Sequence, residues 1–254
     1  MTAMVPLPRA FLDRPIAHRG LHRARDGRPE NSRAAVAAAI AGGYGIEIDL
    51  QLSADGVAMV FHDAALDRLT DATGPLAART AADLAAIPLR HGSETIPTFA
   101  EILACVAGRV PLLVEIKDQD GALGPGVGAL EAAAAADLAG YAGPVALMSF
   151  NPHAVAALAR AAPGLPRGLV TCAFPAAEWP DVPAPVRDRL RAIPDAGPTG
   201  ASFVSHDARD LDNPRLAELA AQGVAILCWT IRSAEAEAAA RRVAANVTFE
   251  GYAA

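Results

Sequence analysis

Short aliphatic runs of β type alternate with alanine-rich helical stretches along most of a 254-residue chain. Such alternation calls for parallel strands joined by helical crossovers, because each strand has to be carried back before the next can pair in the same direction. Extended runs are expected over residues 15–19, 45–52, 57–61, 110–116, 144–149, 167–171, 201–205, 224–229 and 246–249. Helices over 32–41, 128–138, 152–161, 214–221 and 234–244 separate most of them. Asn31 or Ser32 is placed to cap the first helix, and Gly42-Gly43 to stop it.

These nine extended runs are one more than a (β/α)8 barrel needs. The link between the second and third runs carries Asp55-Gly56, a turn signal, and is too short for a parallel crossover, which takes about a dozen residues. The third run is therefore expected to fold back on the second as a hairpin about Ala54-Asp55, setting His62 roughly opposite Glu47; a crossover without a helix is the alternative. The other eight runs make the expected fold an α/β (β/α)8 TIM barrel, a single domain over 1–254. A short insertion follows the second histidine at about 64–98, irregular except for some helix near 80–86. The proline-rich stretch 174–199 reads as a loop with one short helix, on the C-terminal side of the strands where barrel sites are built.

Composition narrows the function. Apolar residues make up 52% and charged residues 20%, as in a folded globular chain. The net charge of −6 comes without a basic stripe, which argues against nucleic acid as a partner. Cys105, Cys172 and Cys228 are odd in number and far apart, which suits buried thiols in a reducing compartment better than disulfides or a zinc site. The N-terminus lacks the basic start and apolar run of a signal peptide, and no stretch reads as a membrane span. The expected location is cytoplasmic, without stable membrane insertion; oligomeric state is not legible.

Charged residues gather at the ends of the apolar runs: His18-Arg19-Gly20, Glu47-Ile48-Asp49, His62-Asp63 and Glu115-Ile116-Lys117. Residues two apart on a strand share a face, so Glu47 and Asp49 point together, as do Glu115 and Lys117. In a barrel that face is expected to be inward, at the C-terminal mouth. Carboxylates buried together are costly without a cation, and three carboxylates suit Mg2+ or Ca2+. Arg19 and Lys117 suit a phosphate. Two histidines could divide proton transfer, one activating a nucleophile and the other protonating a leaving alkoxide. Taken singly, a Glu-x-Asp pair is ordinarily a solvated strand edge, and a lone histidine a satisfied polar residue. Four clusters at strand ends are another matter, since barrel chemistry is assembled from several strand ends.

The chain resembles the glycerophosphodiester phosphodiesterase family. The likeness is carried by His18-Arg19-Gly20, Pro29-Glu30-Asn31-Ser32, Glu47-Ile48-Asp49-Leu50, Ser53-Ala54-Asp55-Gly56, Phe61-His62-Asp63, Ile96-Pro97-Thr98-Phe99, Glu115-Ile116-Lys117, Ser149-Phe150 and Cys228-Trp229-Thr230. It implies a (β/α)8 barrel that hydrolyses a small glycerophosphodiester to glycerol 3-phosphate and an alcohol. It also implies that Glu47, Asp49 and Glu115 hold one divalent cation, that His18 and His62 are the acid/base pair, that Arg19 and Lys117 bind phosphate, and that Trp229 lines the pocket. Which histidine is the base stays open, as does a cyclic-phosphate route.

Two departures stand out. Trp229-Thr230-Ile231-Arg232 replaces a common Trp-Thr-Val-Asn, and Thr248-Phe249-Glu250-Gly251 replaces a common Thr-Asp. Both are expected to lie away from the metal and the histidines. His22, His91, His153 and His206 read as solvated or structural, with His153 near a helix start. Asn31 and Glu30 are expected to shape their loop, with contact to the site open, and Asp63 either orients His62 or merely ends the strand. Two other functions fit less well. One is a phospholipase or sphingomyelinase D-like enzyme, a class that is typically secreted and disulfide-bonded. The other is a non-catalytic phosphate-ester-binding barrel, which would have no need of paired proton carriers.

Overall fold

The computed structural model describes residues 3–254. Among the described residues nine strands form: β1 (Ile16–Ala17), β2 (Gly45–Leu52), β3 (Ala58–Val60), β4 (Leu112–Ile116), β5 (Val145–Ser149), β6 (Arg167–Thr171), β7 (Phe203–Asp207), β8 (Ala225–Ile231) and β9 (Asn246–Phe249). All but β3 pair in parallel in the order β1-β2-β4-β5-β6-β7-β8-β9, and β9 closes on β1. The chain is a (β/α)8 TIM barrel. The α-helices of the described residues, in chain order, are α1 (Ala10–Asp13), α2 (Arg33–Gly42), α3 (Ala81–Ala85), α4 (Phe99–Val106), α5 (Ala129–Asp137), α6 (Pro152–Ala161), α7 (Ala184–Arg191), α8 (Ala196–Thr199), α9 (Pro214–Ala221) and α10 (Ala234–Ala240).

Strand alternation sorts the side chains. Ile46, Ile48 and Leu50 of β2, Leu112, Val114 and Ile116 of β4, and Val247 and Phe249 of β9 pack outward with Val36, Phe99, Leu130 and Leu158 in the layer between sheet and helices. The inward set is separate: Ile16, Leu113, Ala146, Met148, Val170, Phe203 and Leu227, plugged from the N-terminal end by Phe11. Complete burial of each such side chain is worth about 1.5–3 kcal/mol. Asn246 seals the same end, its Nδ2 donating to the carbonyls of Phe11 and Arg14 at 2.7 Å each.

The third run is a hairpin arm, as expected. β3 runs antiparallel to β2, pairing Leu50 with Val60 and Leu52 with Ala58. Its register differs by one residue from the expected one. The turn is centred on Asp55: the Val57 carbonyl accepts from the Ser53 N–H, Ser53 Oγ accepts from the Val57 N–H, and Gly56 takes φ +82°. His62 consequently lies beyond the ladder and not opposite Glu47.

Other differences have local causes. Residues 64–98 fold around an apolar cluster of Phe61, Leu66, Leu69, Leu76, Leu84, Leu89 and Ile96, so the insertion is ordered although it contains only the short helix α3 and one 3-10 turn, Leu76–Ala78. Helix α4, absent from the expected set, opens on a reciprocal cap between Thr98 and Glu101, a Thr-x-x-Glu signal present in the sequence. The stretch 174–199 holds two helices, α7 and α8, because Pro183 and Pro185 sit at the start of α7, where proline is tolerated.

Gly168 shows how tightly the interior is fitted. A Cβ there would come within 2.4–2.6 Å of the Phe203 ring, which is fully buried. Gly168→Ala is therefore expected to destabilise the fold by about 1–3 kcal/mol through overpacking, read as a lower denaturant midpoint with an unchanged slope.

Candidate active site

At the C-terminal mouth the inward residues turn from apolar to charged. His18, Arg19, Glu47, His62, Glu115, Lys117, Phe150, Ser205, Trp229 and Thr248 line one pocket above Met148 and Val170. Every one of the eight residues expected to carry chemistry lies in it or, for Asp49, directly against it: Asp49 Oδ1 is 2.8 Å from Lys117 Nζ.

The acidic part rests on β2 and β4, whose pairing sets Asp49 beside Glu115. Oxygens of Glu47, Asp49 and Glu115 lie within 4.8 Å of one another, and all three residues are buried. Lys117 Nζ bridges Asp49 and Glu115 at 2.8 Å each, and these carboxylates hold its pKa above the usual lysine range against the pull of burial. Asp49 is driven well below the ordinary carboxylate range by Lys117, with further help from His62 and Arg19, despite its burial. Glu47 is the exception: burial first, then Asp49 and Glu115, push its pKa well above normal. Its Oε2 accepts only the Arg19 backbone N–H, at 2.9 Å, among the described residues. A buried carboxylate without a cationic side chain, facing two others, is an incomplete oxygen set that a hard divalent ion fits.

The loop after β1 is bent to serve this group. Arg19 and Gly20 both take left-handed φ, +53° and +75°, which turns the Arg19 N–H onto Glu47. A Cβ on Gly20 would sit 2.8 Å from the Ala35 backbone, so the third residue of His-Arg-Gly has to be glycine. Arg19 Nη1 donates to Glu30 at 2.7 Å, and its Nε is 3.4 Å from Asp49. Asn31, also left-handed at +58°, donates its Nδ2 to Asp49 at 2.9 Å, so this loop residue does contact the site.

Each of the two histidines is clamped by a carboxylate. His62 Nδ1 is 2.6 Å from Asp63, whose second oxygen takes Arg68 Nε at 2.6 Å. Arg68, from the insertion, also forks onto both oxygens of Glu30. Gln51 holds the His62 carbonyl at 3.1 Å. His18 Nδ1 is 2.7 Å from Glu250, which Arg232 grips at 2.8 Å. This overturns the expectation that Arg232 and Glu250 lie away from the histidines. The two departures come together: the register break in β8 after Cys228 and the end of β9 bring them side by side over His18. Burial lowers the pKa of His18, and the Glu250 bond opposes that fall; Glu250 itself is held far below the carboxylate range, chiefly by its bonds to His18 and His22.

The other histidines are scattered. His22 is half-buried with Nε2 3.4 Å from Glu250, closer to the site than a solvated loop residue. His206 is wholly buried, bonded to Thr171 and Asp210. His153 is exposed at the start of α6, where Asn151 is the cap. His91 is exposed. Trp229 forms one wall, its Nε1 donating to the Ser205 carbonyl at 3.0 Å, and stacks edge-on with Phe150 at 5.6 Å.

Residues missed from the sequence fall into two kinds. Arg68 and Gln51 carried no motif signal of their own, because an arginine five residues after Asp63 and a glutamine on β2 gain their meaning only once the insertion and the hairpin have folded. Glu250 and Arg232 were visible as a paired departure from a common pattern, of opposite charge, and that complementarity was the available signal.

Comparison with known proteins agrees with this geometry. Residues 18–248 match the model of the Glycerophosphoryl diester phosphodiesterase family. Glycerophosphodiester phosphodiesterase 1 of Bos taurus is 37% identical over 113 residues, 40% of this chain and 33% of that protein. The chain thus spans about a third of the length of the mammalian relatives it matches. A glycerophosphodiester phosphodiesterase of Caldanaerobacter subterraneus is 31% identical over 163 residues, 61% of this chain and 65% of the relative. The structure of an Oleispira antarctica phosphodiesterase in complex with the product sn-glycerol-3-phosphate superposes with TM-score 0.77 at 25% identity, covering 96% of this chain and 94% of that one. A glycerophosphodiester phosphodiesterase from Thermotoga maritima shares the fold at TM-score 0.70 and 18% identity, over 93% and 94% of the two chains. With the match running from the first site histidine to the last strand of the barrel, the chain belongs to the glycerophosphoryl diester phosphodiesterase family.

Proposed function

We propose that this chain hydrolyses glycerophosphodiesters to glycerol 3-phosphate and an alcohol, with His18 and His62 as its acid/base pair and a divalent cation, Mg2+ or Ca2+, held by Glu47, Asp49 and Glu115. The observation that carries the reading is the pairing of two imidazoles, each fixed through Nδ1 by a carboxylate, in one pocket with a buried carboxylate triad.

With Nδ1 committed, Nε2 of each imidazole is the atom left to exchange a proton with substrate. One accepts the proton of the attacking hydroxyl, and the other delivers a proton to the departing alkoxide. Water attacking directly and a glycerol hydroxyl attacking first, to give a cyclic phosphate, both call on this same pair. The clamps matter to the rate because Asp63 and Glu250 fix the rings and favour the imidazolium as it forms. Arg19 and Lys117 present cationic groups to the phosphate from two strand ends, and Trp229 with Phe150 shields one flank. When bound, the divalent ion supplies further positive charge for the non-bridging phosphate oxygens. Three free cysteines, two of them buried, support a reducing, cytoplasmic location. Among the described residues no helix is long and apolar enough to cross a membrane.

Turnover of glycerophosphocholine and glycerophosphoethanolamine is expected to fall more than about 100-fold on treatment with EDTA and to return with Mg2+ or Ca2+. Metal-independent turnover contradicts the triad's role. His18→Ala and His62→Ala are each expected to lower kcat by about 10²–10⁴; full activity in either removes the acid/base assignment. A preference for lysophospholipid over both glycerophosphodiesters would favour a phospholipase D-like enzyme.

Glu250→Gln gives a further expectation. Glu250 raises the pKa of His18, so its neutralisation moves the His18 titration to lower pH. kcat is expected to drop about 10-fold or more, and one limb of the pH–rate profile to shift downward. A shift of the acidic limb identifies His18 as the base, and a shift of the alkaline limb identifies it as the acid. Unmoved limbs contradict the clamp.

A further inference from the structure

Besides the carboxylate triad, one other set of metal-ligating side chains converges among the described residues: His18, His22 and Glu250, whose ligand atoms all lie within 4.8 Å of one another. His22 and Glu250 lie outside the motifs shared with the family. Backbone geometry builds the group. The His18 N–H donates to the Phe249 carbonyl at 2.9 Å, which sets Glu250 beside the end of β1. The left-handed turn at Arg19 and Gly20 then folds the chain back, with the His22 N–H on the Gly20 carbonyl at 2.9 Å, so that His22 meets the same carboxylate.

Hydrogen bonding accounts for only part of this convergence. Glu250 Oε1 is taken by Arg232 at 2.8 Å, and Oε2 lies 2.7 Å from His18 Nδ1. His22 Nε2 shares that second oxygen at 3.4 Å, beyond the roughly 2.7–3.2 Å of a good N–H···O bond. Ligand atoms around a tetrahedral zinc, with bonds of about 2.0–2.1 Å, stand about 3.4 Å apart. The His22 to Glu250 separation already matches that spacing, and the His18 to Glu250 one would need to open by about 0.7 Å. Two imidazoles and one carboxylate suit a borderline ion such as Zn2+ better than Mg2+, which prefers oxygen throughout. Arg232 fixes the carboxylate from its other oxygen, as a residue behind a metal ligand does. The side chains of His22 and Glu250 are 25% and 20% exposed, which opens the group to ions from solvent.

We propose that His18, His22 and Glu250 form a second metal site, for Zn2+ or an ion of similar chemistry, whose occupation switches the enzyme off. The binding half needs only these three residues; the switching half rests on the glycerophosphodiesterase reading. Zn2+ takes the Nδ1 lone pair of His18, and the proton held there passes to Nε2. No lone pair is then left on the ring to accept a proton, and the Nε2–H of a neutral imidazole is too weak an acid to supply one. His18 is removed from either catalytic role. Arg19 and Arg232 border the group, so their charge keeps the ion weakly enough held to leave again.

The test uses the full chain with Mg2+ in excess, so that the carboxylate triad is filled, and Zn2+ or Co2+ as the probe. Co2+ is expected to give the visible absorption of a nitrogen-bound tetrahedral site in the wild type and to lose it in His22→Gln, which keeps a hydrogen-bond donor for Glu250. Turnover of glycerophosphocholine by the wild type is expected to fall with micromolar Zn2+ and not to recover when Mg2+ is raised further. His22→Gln is expected to keep turnover within about twofold of the wild type when Zn2+ is absent, and to need at least about tenfold more Zn2+ for the same inhibition. Inhibition that Mg2+ relieves places Zn2+ at the triad and overturns the proposal; this comparison is made on the wild type and does not depend on how the variant folds. Equal Zn2+ sensitivity in the two proteins, or Co2+ absorption unchanged by the substitution, overturns it as well. Co2+ absorption that depends on His22 in a protein that cleaves no diester fails the functional reading and leaves the metal site standing.

Discussion

The crowding of Glu47, Asp49 and Glu115 at one end of an apolar barrel is the constraint to which the surrounding structure answers. Their oxygens lie within 4.8 Å of each other and the residues are shielded from water. Mutual repulsion under those conditions would protonate or disperse them without compensation. Compensation arrives in steps. Lys117 reaches back from the end of β4 to join Asp49 with Glu115, and Arg19 approaches Asp49 from the loop after β1. Arg19 is held by Glu30, Glu30 by Arg68, and Arg68 by Asp63, which orients His62. One continuous line of ion pairs therefore runs from the buried triad to the His62 imidazole. The insertion reaches the site through Arg68, although none of its residues lines the pocket.

Much of this was legible because strand parity is rigid. Glu47 with Asp49, and Glu115 with Lys117, had to share faces, and the apolar residues between them had to pack outward against helices, as Ile48 and Ile116 do. The barrel followed from the alternation of strands and helices and from reading the excess run as a hairpin. What escaped were features set by close fitting at turns. The hairpin register slipped by one residue because Ser53 closes the turn on Val57, a side-chain bond that hydrophobic periodicity does not report. The helix Phe99–Val106 escaped because it follows directly from the insertion, although Thr98 and Glu101 announced its cap.

Glu250 is the more instructive omission. A chain-order reading pairs His62 with its neighbour Asp63, and it has no means of pairing His18 with a residue 232 positions away. Only closure of the barrel, β9 beside β1, makes them neighbours. The two imidazoles thus acquire the same clamp by unlike routes, one local and one topological. The topological clamp needs its own counter-charge, since a lone glutamate at the mouth would add to the repulsion. Arg232 provides it from the end of β8, so the two departures from the common family pattern make sense only together.

Charge over the whole site then gives an independent argument for the ion. The His18, Glu250 and Arg232 group is neutral while the imidazole is uncharged. The other network joins Glu30, Glu47, Asp49, Asp63 and Glu115 to Arg19, Arg68 and Lys117, five anions against three permanent cations. Two negative charges are left over, and they are concentrated where Glu47 has no cationic side chain of its own. Burial and that excess together push the Glu47 pKa above the ordinary carboxylate range. A divalent cation held by Glu47, Asp49 and Glu115 would remove the excess completely, and because it would compete with protons for these carboxylates its binding is expected to strengthen as pH rises. A monovalent ion would leave one charge uncompensated. The number of charges, as well as the type of oxygen ligand, is therefore what a divalent ion would match at this site.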